Sequence, residues 1–396
     1  MSTKRRERRG NRKMRNKSVK RYVIPNKDKD IKEEIDVKAI KHNINYLRKK
    51  TKTHEIMTVL KGNAYGHGIL EMGKVVRKIG IKYIGVATVG EAILMREGGD
   101  KGRILAWLYD IESDELRDAF KLGIDIAIFD ETHIRKIEGM VPRGEKINIT
   151  LFIDTGINRA GIPYEKAKKA FRKVEKSEKF NLIGMMSHLI NSQVVNSPLV
   201  NMQLYKFRKL REELREMGIV PEMVHIANTD ACLNYDVSDF TVQRPGKGIY
   251  GISFNNKYKK ELRLATTVKS YIIQLKDVDK GQGIGYDWKY IAPRRIRVGV
   301  LAIGYADIVP RSSSLKLDVY VRGTKRKVYG LISMDQIVIE ARKGDKINDE
   351  VIIFGDGKNC PQTIFDVARK ANTIPLEVLV NTGNRIERVY RNMEKI

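Results

Sequence analysis

The feature that most constrains this chain is a regular alternation of short apolar strands and helical segments from about residue 53 to residue 254. Eight such strand-helix units fit into roughly two hundred residues, which predicts a closed (β/α)8 barrel, an α/β fold. An open, doubly wound sheet is the alternative, but it normally uses fewer strands, and no Gly-x-Gly-x-x-Gly loop follows the first strand. The predicted barrel strands are Glu55–Leu60, Tyr83–Thr88, Arg103–Leu108, Ile124–Phe129, Ile147–Ile153, Leu182–Ser187, Met223–Ile226 and Phe240–Gln243.

Polar side chains follow several of these strands at their C-terminal ends. Asp154 follows the fifth strand and His188 the sixth, while Asn228 and Arg244 follow the last two. The carboxyl ends of barrel strands meet at one face, and barrel active sites lie at that face. The sequence therefore predicts an active site built from these loops.

After about Phe254, helical patterning gives way to strand-like runs, apart from one helical stretch at Thr363–Ala371. This texture predicts a C-terminal mainly-β domain. We therefore divide the chain into a basic arm over residues 1–30, a barrel over residues 31–253 and a β domain over residues 254–396, with residues 31–40 able to pair with the β domain. The predicted strands of the β domain are Thr267–Leu275, Arg297–Ile303, Leu317–Val321, Lys327–Ile332, Ile337–Ala341, Glu350–Phe354 and Arg388–Tyr390.

The N-terminal arm is strongly basic. Eleven lysine and arginine side chains between Lys4 and Arg21 are opposed only by Glu7, and apolar residues are nearly absent. This composition predicts a disordered arm without the apolar run of a secretory signal. Two interpretations stay open: electrostatic binding to nucleic acid or another acidic surface, or a solvated tail in a chain that is basic throughout, with a formal net charge of +28.

The two cysteines, Cys232 and Cys360, have neither the number nor the spacing of a disulfide framework or a zinc site. No metal site is predicted, and a reducing, cytoplasmic setting fits this cysteine usage. No stretch approaches the ~20 apolar residues of a membrane helix, so no membrane partner is expected.

The residues around Lys61 carry the most specific chemical signal. The apolar run Ile56–Leu60 ends at this lysine, and the glycine-rich turn Gly62–Gly68 follows. A lysine at the mouth of a parallel strand can form a Schiff base with a carbonyl cofactor when its surroundings lower its pKa. A solvated lysine before a glycine loop is the ordinary alternative, but Tyr65 and His67 complete a much more specific block.

This block closely resembles the pyridoxal-phosphate (PLP) lysine motif of the alanine racemase family. Further motifs follow in the family's order over nearly all of the chain after about residue 32, and their joint occurrence is specific although each is weak alone. The resemblance implies a PLP enzyme with a barrel, a C-terminal β domain and a head-to-tail homodimer with shared active sites. The motifs are Asp154–Gly156 with Arg159, Ser187–Leu189, His225 with Asn228, Arg244–Gly246 with Tyr250–Gly251, Gly285–Tyr286, Ile303–Asp307 and Ser333–Gln336.

The resemblance implies racemisation by two bases on opposite faces of the substrate. Lys61 is one base, and Tyr286, reaching in from the other subunit, is the second. A tyrosine has an ordinary pKa near ~10, so it needs neighbouring cations to act as a base at neutral pH. By family match Arg159 lies near this tyrosine and near the substrate carboxylate.

The resemblance also assigns the cofactor contacts. Arg244 is the arginine that faces the pyridine nitrogen; its permanent charge leaves that nitrogen unprotonated, which weakens the ring as an electron sink and suits racemisation. His188 is expected beneath the cofactor, supporting Arg244. Lys247 is unexpected, because the family usually has an apolar residue there. The other implied cofactor contacts are Tyr65, Asn228, Thr229 and Gly246, and the other implied substrate contacts are Tyr305, Met334 and Asn384.

Two departures from the family pattern bear on the site. Phe152 stands where many members carry a lysine, carbamylated in their structures, that orients the arginine corresponding to Arg159. Asn384 stands where a tyrosine usually narrows the substrate pocket and touches the phosphate, and serine-racemising relatives resemble this change. We therefore expect a pocket that accepts serine or a larger side chain better than a strict alanine enzyme does.

Three functions are compatible with the sequence. The first is an alanine racemase supplying D-alanine for peptidoglycan, with a serine or broader-specificity racemase as its alternative. The second is a barrel-type PLP amino-acid decarboxylase, which would carry a Cys-Asp-Gly segment where this chain has Ser333–Gln336. The third is a non-enzymatic PLP carrier or nucleic-acid-binding protein, but single-domain PLP carriers lack the β domain and Tyr286.

Overall fold

A computed structural model describes residues 31–53, 55–357 and 360–395. The predicted basic arm over residues 1–30 lies outside the described residues. The first described strand, β1 (Lys32–Asp36), leads directly into helix α1 (Val37–Thr51). The carboxylate of Asp36 caps this helix by accepting a hydrogen bond from the backbone N–H of Lys38 at 3.0 Å.

The next strands form a parallel sheet in the order β2-β3-β4-β5-β6-β8-β9, with β7 paired to β6. Their central residues are buried on both faces, as expected for parallel strands covered by helices. The prediction of a barrel joined to a mainly-β C-terminal domain is confirmed. The strands are β2 (Met57–Val59), β3 (Tyr83–Thr88), β4 (Arg103–Leu108), β5 (Asp125–Ile128), β6 (Ile147–Asp154), β7 (Ile162–Pro163), β8 (Phe180–Met186) and β9 (Met223–His225).

The predicted eighth strand at Phe240–Gln243 is not a regular strand. The segment contributes one parallel pairing, between Ile56 and Gln243. The Met57 N–H donates to the Gln243 carbonyl at 2.8 Å, and the Arg244 N–H donates to the Ala227 carbonyl at 2.9 Å. The segment thus closes the barrel between its first and last strands. The contact with β2 continues to Pro245, whose carbonyl accepts the Val59 N–H at 3.0 Å, although Pro245 has no N–H to donate in return.

Helices follow the barrel strands and cover the barrel. Helix α3 (Val89–Glu97) shows why these segments are helical, because Thr88 and Glu91 form a reciprocal capping box at its start. The helices are α2 (Ile69–Lys78), α3 (Val89–Glu97), α4 (Asp114–Lys121), α5 (Glu131–Met140), α6 (Ala167–Glu175), α7 (Pro198–Glu216) and the short α8 (Thr229–Asn234). No helix of the described part of the chain is long and apolar enough to cross a membrane.

The C-terminal domain is a largely antiparallel sheet in the order β13-β16-β15-β14-β17-β10-β1-β18. Strand β1 pairs antiparallel with β10 and parallel with β18, so the first described strand belongs to this sheet. Sequence patterning missed helix α10 (Pro375–Val380) and the small hairpin of β11 (Gly283–Ile284) and β12 (Tyr290–Ile291). The elements are β10 (Thr266–Val278), β11 (Gly283–Ile284), β12 (Tyr290–Ile291), β13 (Ile296–Leu301), β14 (Asp318–Val321), β15 (Thr324–Tyr329), β16 (Ile337–Glu340), β17 (Glu350–Phe354), α9 (Ile364–Lys370), α10 (Pro375–Val380) and β18 (Glu387–Arg391).

The barrel interior is filled by apolar side chains rather than left as a channel. The cluster in this interior includes Met57, Leu105, Phe152 and Met223, one each from β2, β4, β6 and β9. A separate apolar cluster, which includes Val268, Val319 and Phe354, forms the core of the β domain. Both sheets are therefore rigid supports for the loops that connect them.

Candidate active site

A cavity of about 600 Å³ opens at the C-terminal ends of the barrel strands. This is the face at which the sequence predicts the active site. The cavity brings together the barrel residues that were predicted to bind cofactor and substrate. These lining residues are Lys61, Tyr65, Arg159, His188, Asn228, Thr229, Arg244, Gly246 and Lys247.

Lys61 begins a left-handed turn directly after β2. The backbone φ angles of Gly62, Asn63, Ala64 and Tyr65 are all positive, between 54° and 63°. Glycine and asparagine tolerate this conformation, whereas alanine and tyrosine adopt it at a cost of about 1–2 kcal/mol each. Such a run of left-handed residues persists only where the surrounding structure holds it in place.

Two sets of contacts hold the turn. The carboxylate of Glu91, at the start of α3, accepts the N–H of Gly62 at 2.6 Å. On the other side, the Arg388 side chain of β18 donates to the Gly66 carbonyl at 2.6 Å. Gly66 is also required by space, because a Cβ atom there would lie 2.0 Å from the backbone oxygen of Leu379. The turn is therefore clamped between the barrel and the β domain.

The amine of Lys61 is tuned by its surroundings. Burial lowers its pKa from the ordinary range, and the nearby charges of Arg159 and Arg244 lower it further, while Glu91 opposes the shift. A lowered pKa increases the fraction of neutral amine near pH 7. The Lys61 side chain is thus suited to act as a nucleophile or as a base.

Arg244 is fully buried in the cavity wall and is held by three groups. Its guanidinium donates to Nδ1 of His225 at 2.6 Å, to the Ser187 carbonyl at 2.7 Å and to Nδ1 of His188 at 3.3 Å. Burial lowers the pKa of Arg244 to about 10, so the side chain remains charged at neutral pH. Burial and Arg244 lower the pKa of His188 to about 3, so this imidazole is neutral and can accept the hydrogen bond.

Hydroxyl and backbone groups from three loops converge on another part of the cavity. The Thr229 hydroxyl oxygen accepts the N–H groups of Gly246 and Gly248 at 3.2 and 3.0 Å. A Cβ atom at Gly246 would lie 2.1 Å from the Tyr65 hydroxyl, so only glycine allows this close approach. The Tyr65 hydroxyl makes no hydrogen bond to the described residues, which leaves it available to a ligand oxygen. We call Tyr65, Thr229 and Gly246 the hydroxyl cradle.

The position of Phe152 agrees with its sequence interpretation. The phenyl ring is buried in the barrel interior and lines the cavity, so it offers Arg159 no charged partner. Arg159 makes no hydrogen bond or ion pair with any residue that the structure describes. Its loop is ordered instead by Asp154, whose carboxylate accepts the N–H groups of Gly156 and Ile157 at 2.8 and 3.0 Å.

The remaining predicted residues lie on the β domain and do not line this cavity. Tyr286, Tyr305 and Met334 are 59, 41 and 52% exposed, and Asn384 is also exposed. Tyr305 and Met334 belong to adjacent loops, because the Ala306 N–H donates to the Met334 carbonyl at 3.0 Å. One chain therefore presents two separate groups of candidate residues.

Sequence reasoning missed two acidic residues at the site. Glu91 holds the lysine turn, and Asp230 lines the cavity and pairs with Lys247. Glu91 could have been found from its capping spacing to Thr88. Asp230 directly follows Thr229, but a carboxylate beside an expected phosphate site contradicts simple charge reasoning, so no sequence signal favoured it.

Comparison with known proteins gives the family. The family models described as "Alanine racemase, N-terminal domain" and "Alanine racemase, C-terminal domain" match residues 35–254 and 265–390. An alanine racemase of Mycolicibacterium smegmatis is 31% identical over 364 residues, covering 90% of this chain and 93% of the relative. One from Thermobifida fusca is 31% identical over 364 residues, covering 90% and 96%. The crystal structure of alanine racemase from Streptomyces lavendulae superposes with a TM-score of 0.86 at 30% identity, covering 91% of this chain and 97% of that one. This chain belongs to the alanine racemase family.

Proposed function

We propose that this protein is a PLP-dependent amino-acid racemase that interconverts L- and D-alanine. The observation that carries the proposal is the half-buried Lys61 amine, with a lowered pKa, in one cavity with the buried Arg244. Family membership supplies the reaction class, and the names of the relatives supply alanine as the first substrate to test.

The barrel cavity fits the cofactor. The hydroxyl cradle offers a free phenol and a glycine backbone that approaches closely, which suits a phosphate group. Arg244 supplies a fixed cation that can donate to a ring nitrogen but cannot protonate it at neutral pH. Bound PLP withdraws electrons from the substrate Cα and so acidifies its proton. Lys61 is the proposed point of attachment, with Asn228, Thr229 and His188 completing the wall.

Two proton carriers are proposed. The Nζ atom of Lys61 takes or returns the Cα proton on one face of the substrate. The Oη atom of Tyr286 from the partner subunit does so on the opposite face. Arg159 of the barrel stands free to bind the substrate carboxylate and to favour the phenolate of that tyrosine.

A head-to-tail homodimer is proposed because one chain lacks a complete site. Tyr286, Tyr305 and Met334 are exposed on the β domain and lie outside the cavity of their own chain. Large exposed aromatic and apolar side chains at this density are typical of surfaces that another protein covers. In the dimer these residues would cover the partner's cavity, with the Met334 backbone N–H directed at the substrate carboxylate.

The cellular role is proposed from the chemistry. D-Alanine is a building block of peptidoglycan, so a biosynthetic role follows from the reaction. A cytoplasmic location is supported by the two cysteines, since Cys232 and Cys360 are both buried and free of disulfides.

Serine is the second candidate substrate. Asn384, an exposed residue of the β domain, is smaller than the tyrosine expected there and offers both a donor and an acceptor. The next residue, Arg385, donates to the Met334 carbonyl at 3.4 Å, so Asn384 lies close to the loop of Met334. An asparagine there would leave room and a hydrogen bond for the hydroxymethyl group of serine.

The direct test incubates the purified protein and PLP separately with L-alanine, L-serine, L-lysine and L-ornithine, and then separates product enantiomers by chiral chromatography. The proposal expects D-alanine, or D-serine for the broader enzyme, and no D-product from a Lys61→Ala variant. Amine products without D-amino acids would overturn it in favour of a decarboxylase.

A further inference from the structure

A buried ion pair lies beside the hydroxyl cradle. The Lys247 ammonium is 2.5 Å from a carboxylate oxygen of Asp230, and both side chains are largely shielded from solvent. The two residues adjoin the cradle in sequence, since Asp230 follows Thr229 and Lys247 follows Gly246. Both also line the cavity.

The contacts of this pair are incomplete. The second carboxylate oxygen of Asp230 is buried and has no hydrogen-bond partner among the described residues. The Lys247 ammonium lies 3.6 Å from the centroid of the Phe254 ring, an additional attraction that fixes its position. An ammonium has three N–H groups, so one bonded to Asp230 and one face over the ring leave a donor for a ligand.

A carboxylate next to a phosphate site needs a physical reason. Burial lowers the pKa of Lys247, and Asp230 opposes that shift, so the carboxylate favours the charged form of the ammonium. Asp230 alone would repel a phosphate dianion, whereas in the pair the Lys247 ammonium offsets the charge of the carboxylate. A buried ion pair that served stability alone would be poorly explained here, because desolvation usually offsets the attraction.

We propose that the Lys247 ammonium binds the phosphate of the cofactor directly and that Asp230 is the positioning residue that holds this ammonium at the cavity wall. The inference rests on the proposed function for the identity of the cofactor. It assigns this chain a cationic phosphate ligand in addition to the hydroxyl cradle and assigns Asp230 a purpose.

The test compares PLP with pyridoxal, which lacks the phosphate. Binding of each to the cofactor-free full-length protein is followed by fluorescence of Trp107, which lines the cavity. Lys247→Met should weaken PLP binding by about 10- to 100-fold, the loss typical of a charge-assisted hydrogen bond, and leave pyridoxal binding within about 2-fold. Lys247→Arg, which keeps the charge, should restore most of the PLP affinity.

Lys247→Met alone would leave the Asp230 carboxylate buried and unpaired, which could cause misfolding. The same substitution is therefore also made in a protein that carries Asp230→Asn, which has no such carboxylate. In that background Lys247→Met should still weaken PLP selectively, but by less, about 3- to 10-fold, since no repelling carboxylate remains. Equal losses for PLP and pyridoxal, or no loss for either, would overturn the proposal and make the pair a structural feature of the wall.

The same samples separate this inference from the proposed function. D-Alanine formation by the unmodified protein is measured in parallel. A phosphate-selective effect of Lys247 without any D-alanine would support the phosphate contact and overturn the racemase. Absence of PLP binding by the unmodified protein would overturn both.

Discussion

The two groups of candidate site residues differ in their surroundings. Those at the mouth of the barrel are mostly buried or half-buried, whereas those on the β domain are exposed. In the barrel, Arg244 is buried and hydrogen-bonded to three residues, and Lys61 begins a turn that is held from both sides. On the β domain, Tyr286 is exposed on a small hairpin and contacts no part of the barrel cavity.

The difference indicates a division of labour. The pKa of Lys61 is lowered by burial and by neighbouring cations that belong to the same barrel, so it does not require a partner subunit. An exposed phenol acquires a suitable environment only when another surface covers it. Cofactor binding should therefore depend on the barrel, and turnover should depend on the assembled dimer.

Removing the barrel lysine should have the largest effect. Lys61→Ala should lower racemisation of alanine by more than about 10⁴-fold, because it removes both the proposed attachment point and one of the two proposed proton carriers. Rates in both directions are measured by chiral chromatography. Lys173→Ala, at an exposed position on helix α6, is the matched control and should retain full activity. Comparable rates for the two variants would contradict the assignment.

Removing the β-domain phenol should come next. Tyr286→Phe should lower racemisation by about 10²- to 10⁴-fold in both directions, the range for one acid-base group, without weakening PLP binding. Tyr205→Phe, another exposed tyrosine, should be unaffected. A loss of PLP affinity in Tyr286→Phe would break the proposed division between the two regions.

The stability of the protein should depend on pH through Glu33, a buried residue of β1. Burial raises the pKa of Glu33 to about 8 from 4.5, although Arg388 lies 3.4 Å away and opposes the shift. The folded protein therefore binds a proton that the unfolded chain has released between pH 4.5 and 8. This group's contribution to stability is complete below about pH 4.5 and is lost as pH rises through 8.

The effect of His67 on the pH dependence of stability is opposite to that of Glu33. Burial lowers the pKa of His67 to about 4 from 6.5, so its contribution makes stability rise with pH over that interval. Between pH 6.5 and 8.5 only Glu33, of these two residues, changes its contribution to stability. In the unmodified protein this contribution should lower the free energy of unfolding by up to about 2 kcal/mol over that range, and Glu33→Gln should abolish the decrease. Urea unfolding at a series of pH values and a fixed protein concentration measures how the free energy of unfolding changes with pH. Glu34→Gln is the control, since the pKa of Glu34 is lowered. An unchanged slope in Glu33→Gln would exclude a protonated Glu33.

The smallest expected effect concerns substrate choice on the β-domain side. Asn384→Tyr should lower the serine-to-alanine ratio of kcat/KM by about 10-fold, because a larger ring removes space and a hydrogen bond from the serine hydroxymethyl group. Asn381→Tyr, nearby on the same domain and also exposed, serves as the control. An unchanged ratio would remove Asn384 from the specificity determinants.

The sequence predicted the barrel well because its signals are local. Apolar runs ending in polar residues located β3 and β4 at their observed bounds. The eighth strand was overestimated, since apolar patterning at Phe240–Gln243 does not reveal that the segment forms only one isolated pairing, with Ile56. The hairpin β11-β12 was missed because two-residue strands have no detectable period.

For the site, nine residues that the motifs predicted to bind cofactor or substrate line one cavity. The left-handed geometry of the lysine turn and the buried Asp230–Lys247 pair depend on packing between segments far apart in the chain, which no single motif records. The proposed contribution of Tyr286 to a partner's site likewise depends on a surface outside this chain.

The most direct test of the central claim mixes the two inactive proteins. Lys61→Ala and Tyr286→Phe subunits are dissociated and reassembled together, and D-alanine formation is measured. If each site combines a barrel from one subunit with the tyrosine of the other, mixed dimers contain one intact site, and activity should recover to about a quarter of the unmodified level. No recovery, despite demonstrated mixed dimers, would show that the two halves are not shared between subunits.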